Sequence, residues 1–197
     1  VSSSQVEMNS GLQFTDGMST NDIQEVLIKS ANDLITLDNP NYQYVAARLL
    51  LFSLQKHVFG KWLPLDGYIP LRYLVSRNTE RGVYDKSILE KFSDDEWNKL
   101  NSYIKHERDW DFTYAGLRQV VDKYLVQDRS SGAVYETPQY MYMMIACTLF
   151  ANYSSDSRMK YIRKYYNAIS TFKINIPTPV MAGVRTPMKQ FASCVLV

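Results

Sequence analysis

Apolar residues recur at helical spacing through most of the chain, and helix-breaking residues separate the segments. Residues 1–17 are polar and end in a turn signal at Thr15-Asp16-Gly17. A helix is then predicted behind Ser19, which with Asp22 forms a start of the capping-box type. The apolar positions that follow have the spacing of one helix face, namely Ile23, Val26, Leu27, Ala31, Leu34 and Ile35.

A second, more apolar helix follows at once. Asn39 is predicted as its N-cap, Pro40 as its first residue, and Gly60 as the residue that ends it just after Val58. This segment is apolar on nearly every face for three turns. We therefore expect it at the centre of a helical packing.

The remaining pattern predicts more helices and one small hairpin. The predicted helices cover residues 71–76, 93–104, 113–125, 138–150 and 156–172, with a capping box at Ser93 and a cap at Asp156 or Ser157 for the last. Residues 124–126 and 133–135 flank a turn and predict a β-hairpin. The fold class is therefore mainly α with a small β-hairpin.

Two segments attract chemical interpretations that have simpler alternatives. Residues 140–150 are Met-rich and apolar on every face, which is typical of core, so we expect Cys147 to be inert. His106 lies beside three carboxylates, but no nucleophile or second histidine has a recognisable spacing to it. A polar network at a helix end is the favoured interpretation, and no metal site is predicted.

The C-terminal segment, residues 177–197, has a different character. Pro177, Pro179, Gly183 and Pro187 predict an irregular, rigid loop rather than a continuous helix. A short β-prone run follows at residues 191–197 and contains a single thiol, Cys194. A strand that carries one thiol behind a rigid loop indicates an active site, whereas the alternative is a small buried cysteine in a core.

Composition narrows the classes of function. The 197 residues carry 22 basic and 20 acidic side chains, a net charge of +2, so electrostatic nucleic-acid binding is not indicated. No apolar run approaches the roughly 20 residues of a membrane helix. Two cysteines without framework spacing indicate a reducing compartment, and we expect a cytoplasmic protein. The chain begins with Val, which is typical of a fragment.

The C-terminal segment carries a resemblance to a known family. It contains PTPVMAGVRTPMKQFASCVL, which is very similar to a segment of the large subunit of class I ribonucleotide reductases. The resemblance implies that this segment leads into the first strand of an α/β barrel that is not in this chain. It further implies that Cys194 is a redox-active thiol whose partner lies downstream, and that Thr178 and Ser193 contact the substrate.

A second resemblance covers residues 6–60. It rests on DGMSTNDIQEVLIKSANDLI and PNYQYVAARLLLF, which resemble the helical half of an ATP-cone, the allosteric nucleotide-binding module of this family. It implies that Thr20 and Lys56 contact ATP or dATP. The hairpin of that module is absent from this chain, and Gln24 and Ser53 occupy positions where some relatives have histidines. We therefore expect weak ATP binding.

Together, the resemblances imply a division into a partial ATP-cone at residues 1–60, a helical domain at 61–176, and the loop and first strand at 177–197. The function implied is reduction of ribonucleoside diphosphates to deoxyribonucleotides. The partners implied are the rest of the large subunit, a second copy of it, the small radical-generating subunit, and a reductant of the thioredoxin or glutaredoxin type. The alternative is a non-catalytic helical module that binds a nucleotide or a protein.

Overall fold

The computed structural model describes residues 1–60, 67–188 and 191. These residues form nine α-helices, two 3-10 turns and one two-stranded sheet. The helices are α1 (Ser3–Gly11), α2 (Thr20–Asp33), α3 (Tyr42–Phe59), α4 (Leu71–Glu80), α5 (Asp94–Tyr103), α6 (Tyr114–Lys123), α7 (Pro138–Phe150), α8 (Ser155–Ser170) and α9 (Thr178–Gly183). The strands are β1 (Gln127–Asp128) and β2 (Ala133–Val134), and the 3-10 turns are Lys86–Lys91 and His106–Asp111. The mainly α prediction is confirmed.

Local caps set several helix ends as the sequence predicts. The Ser19 hydroxyl accepts a hydrogen bond from the backbone N–H of Asp22 at the start of α2. Ser93 and Glu96 form the full capping box of α5, each side chain accepting from the other residue's backbone N–H. Gly60 ends α3 with a positive φ of 76°, a conformation that glycine adopts without steric cost.

Two helix starts differ from the prediction. The polar stretch 1–17 contains α1, which the apolar pattern does not reveal because only Val6 and Ser10 of this helix are buried. Helix α3 begins at Tyr42 rather than Pro40, because residues 39–41 form a turn in front of it. Such turn hydrogen bonds set the helix boundaries, and the apolar pattern locates these boundaries only to within a residue or two.

The prediction of an irregular loop from Pro177 to Pro187 is wrong in its first half. Residues 178–183 form α9, which has Pro179 in its first turn. Proline is compatible with the first turn because the N–H it lacks would have no intrahelical partner there. The predicted strand at residues 191–197 lies outside the described residues, apart from Phe191.

The predicted hairpin is confirmed with a slightly shifted pairing. Strands β1 and β2 are antiparallel, with Gln127 opposite Val134 and Asp128 opposite Ala133. The Asp128 carboxylate accepts hydrogen bonds from the Ser130 and Ser131 hydroxyls inside the turn. These bonds lower the pKa of Asp128 to about 2. The turn is therefore closed by its own polar side chains.

A single hydrophobic core runs from Ile28 to Val184. Helix α7 lies inside it, since every residue from Pro138 to Cys147 is buried, and it packs against α8. Helix α3 packs against α2 on one side and α6 on the other, so the N-terminal helices share this core. The division into residues 1–60, 61–176 and 177–197 stays a prediction. In the described part of the chain, no helix combines the length and apolarity needed to cross a membrane.

A partly buried ion pair joins α5 to α8. Arg158 donates to both carboxylate oxygens of Glu96, with Nε–Oε1 at 2.8 Å and Nη2–Oε2 at 2.5 Å. The Ser155 hydroxyl donates to the same carboxylate at 2.7 Å. Burial opposes ionisation of Glu96, but these hydrogen bonds and the Arg158 charge outweigh it and lower its pKa to about 2.

Candidate functional site

The groove beside α9 contains the one predicted substrate residue that the structure describes, Thr178. Thr178 is exposed and begins α9 directly after Pro177. Its Oγ1 lies 3.4 Å from the phenolic oxygen of Tyr124, just beyond the end of α6. Gln119 of α6 donates from Nε2 to the same phenolic oxygen at 3.2 Å. The side chains of Gln119, Tyr124 and Thr178 therefore meet in one polar cluster between α6 and α9.

The groove itself has a volume of about 430 Å³. The buried side chains that line it are apolar or aromatic, namely Phe112, Val120, Tyr142 and Met181. The more exposed lining residues include Gln119, Tyr124, Asn175 and Thr178. The groove therefore has apolar buried walls and polar groups at its accessible edge.

A buried ion pair holds α9 in place. The Nε of Arg185 lies 3.0 Å from both carboxylate oxygens of Glu136, and its Nη2 also contacts Oε1 of Glu136. Arg185 further donates from Nη1 to the backbone carbonyl of Met181 in α9, at 2.6 Å, and from Nη2 to that of Tyr124, at 2.8 Å. Both side chains of the pair are 0 % exposed.

Other groups complete the coordination of Glu136. The Tyr84 hydroxyl and the backbone N–H of Val126 donate to its carboxylate, the latter at 2.7 Å. The backbone N–H of Asp85 donates to the carbonyl of Arg185 at 2.9 Å. The pair thus connects the segment after α4, the hairpin and the C-terminal end of α9.

The electrostatics of this pair follow from complete burial. Burial opposes the charge on Arg185, but the adjacent Glu136 carboxylate outweighs it and raises the Arg185 pKa above its ordinary value. Burial and the negative charge of Glu136 both raise the pKa of Tyr84 well above its ordinary value. Tyr84 therefore remains a neutral hydrogen-bond donor.

Of the two cysteines, only Cys147 lies among the described residues. Ser193 and Cys194 lie outside the described residues, so their predicted roles are untested. Cys147 lies in α7 and is 0 % exposed, and burial raises the pKa of its thiol well above the ordinary value. A buried protonated thiol is unreactive, in agreement with the expectation that Cys147 belongs to the core.

The predicted ATP residues lie on separate helices. Thr20 is the exposed first residue of α2, and Lys56 lies in the last turn of α3 with its ammonium 5.5 Å from the centre of the Phe52 ring. A cavity of about 400 Å³ beside Ser53 is lined by neither. Gln24 of α2 donates from Nε2 to the carbonyl of Leu49 at 2.9 Å. It therefore joins α2 to α3.

The segment around His106 forms a buried polar cluster. The His106 ring stacks on Tyr68 with centroids 3.6 Å apart, and burial lowers its pKa to about 3. Burial raises the pKa of Asp109 to about 8, although Gln139 donates to its Oδ1 at 2.9 Å. Among the described residues, no three His, Cys, Asp or Glu side chains are grouped to hold a metal ion. Asp109 and Gln139 form a buried polar contact, whereas the Nδ1 of His106 is buried without a hydrogen-bond partner in the described part of the chain, so the predicted network around His106 stays a prediction.

The comparisons with known proteins agree with this structure. Residues 111–189 match the family model described as the all-alpha domain of ribonucleotide reductase. This stretch contains α6, the hairpin, α7, α8, α9 and the Glu136–Arg185 pair. Residues 111–189 are therefore similar to the helical domain of ribonucleotide reductases, and the helical fold agrees with that similarity.

The chain as a whole matches the N-terminal region of ribonucleoside-diphosphate reductase α subunits. It is 48% identical over 197 residues to the alpha subunit of ribonucleoside-diphosphate reductase 1 of Salmonella typhimurium and 47% identical over 198 residues to that of Escherichia coli. In both comparisons the match covers 100% of this chain and 25% of the relative. The α subunit of Enterobacteria phage T4 is 47% identical over 182 residues, which cover 92% of this chain and 24% of that protein. The chain thus spans about a quarter of the length of these relatives.

The sequence did not reveal the Glu136–Arg185 pair or the position of Tyr124. Arg185 lies inside the segment that resembles the family, and Glu136 precedes α7 by two residues without any local motif. The two residues are 49 positions apart, so no periodicity links them. The sequence shows only that Glu136 and Arg185 are each a charged residue between apolar segments.

Replacing Glu136 with Gln tests the strength of the pair. The amide preserves the shape but leaves the Arg185 charge buried without a counter-charge, and we expect a loss of about 3–5 kcal/mol in the free energy of unfolding. Urea denaturation measures it. Arg72→Gln is the matched control, because Arg72 and Asp94 form an ion pair that is 57% and 72% exposed, for which about 1 kcal/mol or less is expected. Equal effects of the two changes would contradict the assignment.

Asp109 should make the chain less stable as the pH rises. Its pKa is about 8 when folded, against an ordinary 3.8, so over that interval the folded state holds a proton that the unfolded state has lost. The free energy of unfolding therefore falls with rising pH. The pKa of His106 is lowered from 6.5 to about 3, so below pH 6.5 the unfolded state binds the extra proton. In that range His106 makes the free energy of unfolding rise with pH.

Between about pH 6.5 and 8, the stability therefore changes with the ionisation of Asp109 and not with that of His106. Asp109→Asn should remove most of the fall in stability over this interval, as measured by urea denaturation at several pH values. The exposed Asp111→Asn change is the control and should leave the fall intact. An unchanged pH dependence in the Asp109 variant would show that this carboxyl is already ionised in the fold.

Proposed function

We propose that this chain is the N-terminal part of a ribonucleoside-diphosphate reductase α subunit that reduces ribonucleoside diphosphates to deoxyribonucleotides. The observation that carries the proposal is the match of the entire chain, at 47–48% identity, to the N-terminal quarter of two such subunits. The helical fold and the matching all-alpha domain agree with it. The comparisons favour this function over the alternative of a non-catalytic helical module.

A redox role is proposed for Cys194 from the resemblance of its segment to the family. Replacing the ribose 2′-hydroxyl by hydrogen requires two electrons and releases water. Two thiols supply the electrons and two protons when they close to a disulfide, which balances the reaction. Cys194 is proposed as one of these thiols, with its partner in the part of the protein beyond this chain. A reductant of the thioredoxin or glutaredoxin type then reopens the disulfide by thiol exchange.

Binding of the substrate is assigned to the groove beside α9. Thr178 offers a hydroxyl at its edge, and Ser193 is proposed as a second hydroxyl contact near Cys194. A radical is required to activate the ribose, and the proposed source is a small radical-generating subunit. The proposed assembly is a homodimer of the complete large subunit in the cytoplasm.

The allosteric role is assigned to residues 1–60 as a partial ATP-cone. Thr20 at the start of α2 and Lys56 at the end of α3 are the proposed contacts to ATP or dATP. Within this chain the contacts are few. The backbone N–H of Asp22 is already bonded to Ser19, and the Asp22 carboxylate adds a negative charge to the first turn.

The redox assignment is tested in the full-length subunit with a dithiol reductant. Cys194→Ser should abolish multiple-turnover deoxynucleotide formation, because a hydroxyl cannot close a disulfide. Cys147→Ser is the matched control and should keep turnover while losing about 1–3 kcal/mol of stability, since it buries a hydroxyl in α7. Normal turnover by the Cys194 variant would overturn the assignment of this thiol.

ATP binding by the isolated chain should be weak. With only Thr20 and Lys56 proposed as contacts, we expect no saturable heat in calorimetric titration at micromolar ATP. Lys99→Ala, which removes an exposed lysine from α5, is the control for non-specific charge effects. Micromolar binding that is lost in Thr20→Ala and Lys56→Ala but kept in Lys99→Ala would show that these helices alone form an ATP site.

A further inference from the structure

Two hydroxyls stand next to each other at the edge of the groove beside α9. The phenolic oxygen of Tyr124 is 3.4 Å from Oγ1 of Thr178, and both residues line the same groove of about 430 Å³. Tyr124 comes from the end of α6 and Thr178 from the start of α9, so two separate segments converge there. Such convergence places two hydrogen-bond donors within reach of one ligand group.

The hydrogen bonding of Tyr124 leaves its proton available. Gln119 donates from Nε2 to the phenolic oxygen, at 3.2 Å, and so uses one of the lone pairs of that oxygen. The phenolic hydrogen can then be donated to Thr178 or to a ligand in the groove. Hydrogen bonds with Thr178 and Gln119, together with the Lys123 charge, lower the pKa of Tyr124.

We propose that Tyr124 is a further substrate-binding residue, whose hydroxyl donates a hydrogen bond to the diphosphate of the nucleotide beside Thr178. The proposal rests on the proposed function, which places the substrate at Thr178. Phosphate oxygens accept hydrogen bonds only, so two adjacent hydroxyl donors match them. Lys123, which directly precedes Tyr124, adds a positive charge to the same end of α6.

The backbone of Tyr124 is held from two sides. Its N–H donates to the carbonyl of Val120 at the end of α6, at 3.0 Å, and its carbonyl accepts from Nη2 of Arg185 at 2.8 Å. Arg185 also donates to the carbonyl of Met181 in α9, the helix that Thr178 begins. One buried guanidinium therefore bonds both backbone segments from which the two hydroxyls extend, and such preorganisation lowers the entropy cost of binding.

The experiment uses the full-length α subunit with its radical-generating partner and a nucleoside diphosphate substrate. Tyr124→Phe removes only the hydroxyl, and the loss of one hydrogen bond to a charged phosphate should raise KM roughly tenfold. The value of kcat should not change, because the hydroxyl binds the diphosphate in the ground state and the transition state alike. Competitive inhibition by inorganic diphosphate should weaken by a similar factor. Tyr161→Phe, which removes an exposed hydroxyl from α8, should change neither quantity.

Thr178→Ala separates this inference from the function on which it rests. If Thr178→Ala raises KM and Tyr124→Phe does not, the role of Tyr124 is overturned and the substrate site at Thr178 stands. If neither change affects KM, the placement of the substrate at this groove is itself wrong. A fall in kcat at unchanged KM and unchanged diphosphate inhibition in Tyr124→Phe would also overturn the inference, because the hydroxyl would then act away from the diphosphate.

Discussion

The buried pair of Arg185 and Glu136 is the interaction on which the site end of this structure depends. Moving two charges into a protein interior costs several kcal/mol per ion, and only good geometry with additional hydrogen bonds offsets that cost. Here the guanidinium donates to the carboxylate and to two backbone carbonyls, and the carboxylate accepts from Tyr84 and Val126 as well. The pair is therefore stable only if the segments that supply these groups are all in place.

This requirement explains how a six-residue helix holds a defined position. Helix α9 is too short to be stable alone, and of its residues only Met181 is buried. Its end is tied to Arg185 through the Met181 carbonyl, and the Arg185 carbonyl is tied to the backbone of Asp85. The position of Thr178 is thus determined by contacts to distant segments.

The distance along the chain between interacting residues explains what could be predicted from the sequence. The capping box of Ser93 and Glu96 and the glycine end of α3 involve residues within four positions of each other, so local patterns revealed them. The sequence pattern does not predict α9, because prolines generally end helices but are compatible with the first turn. The Thr178–Tyr124 contact spans 54 positions and depends on the fold, which periodicity cannot encode.

The resemblance to a reductase segment implies a substrate contact at Thr178, which no local pattern indicates. The structure then adds constraints that the resemblance does not contain. Helix α3 packs on both α2 and α6, and α6 carries Gln119, which donates to Tyr124. Because protein interiors are packed as densely as crystals, α2 and α3 cannot shift far without disturbing α6. The helices proposed to bind the effector and the groove proposed to bind the substrate therefore belong to one continuous packing, in which α6 is the shared element.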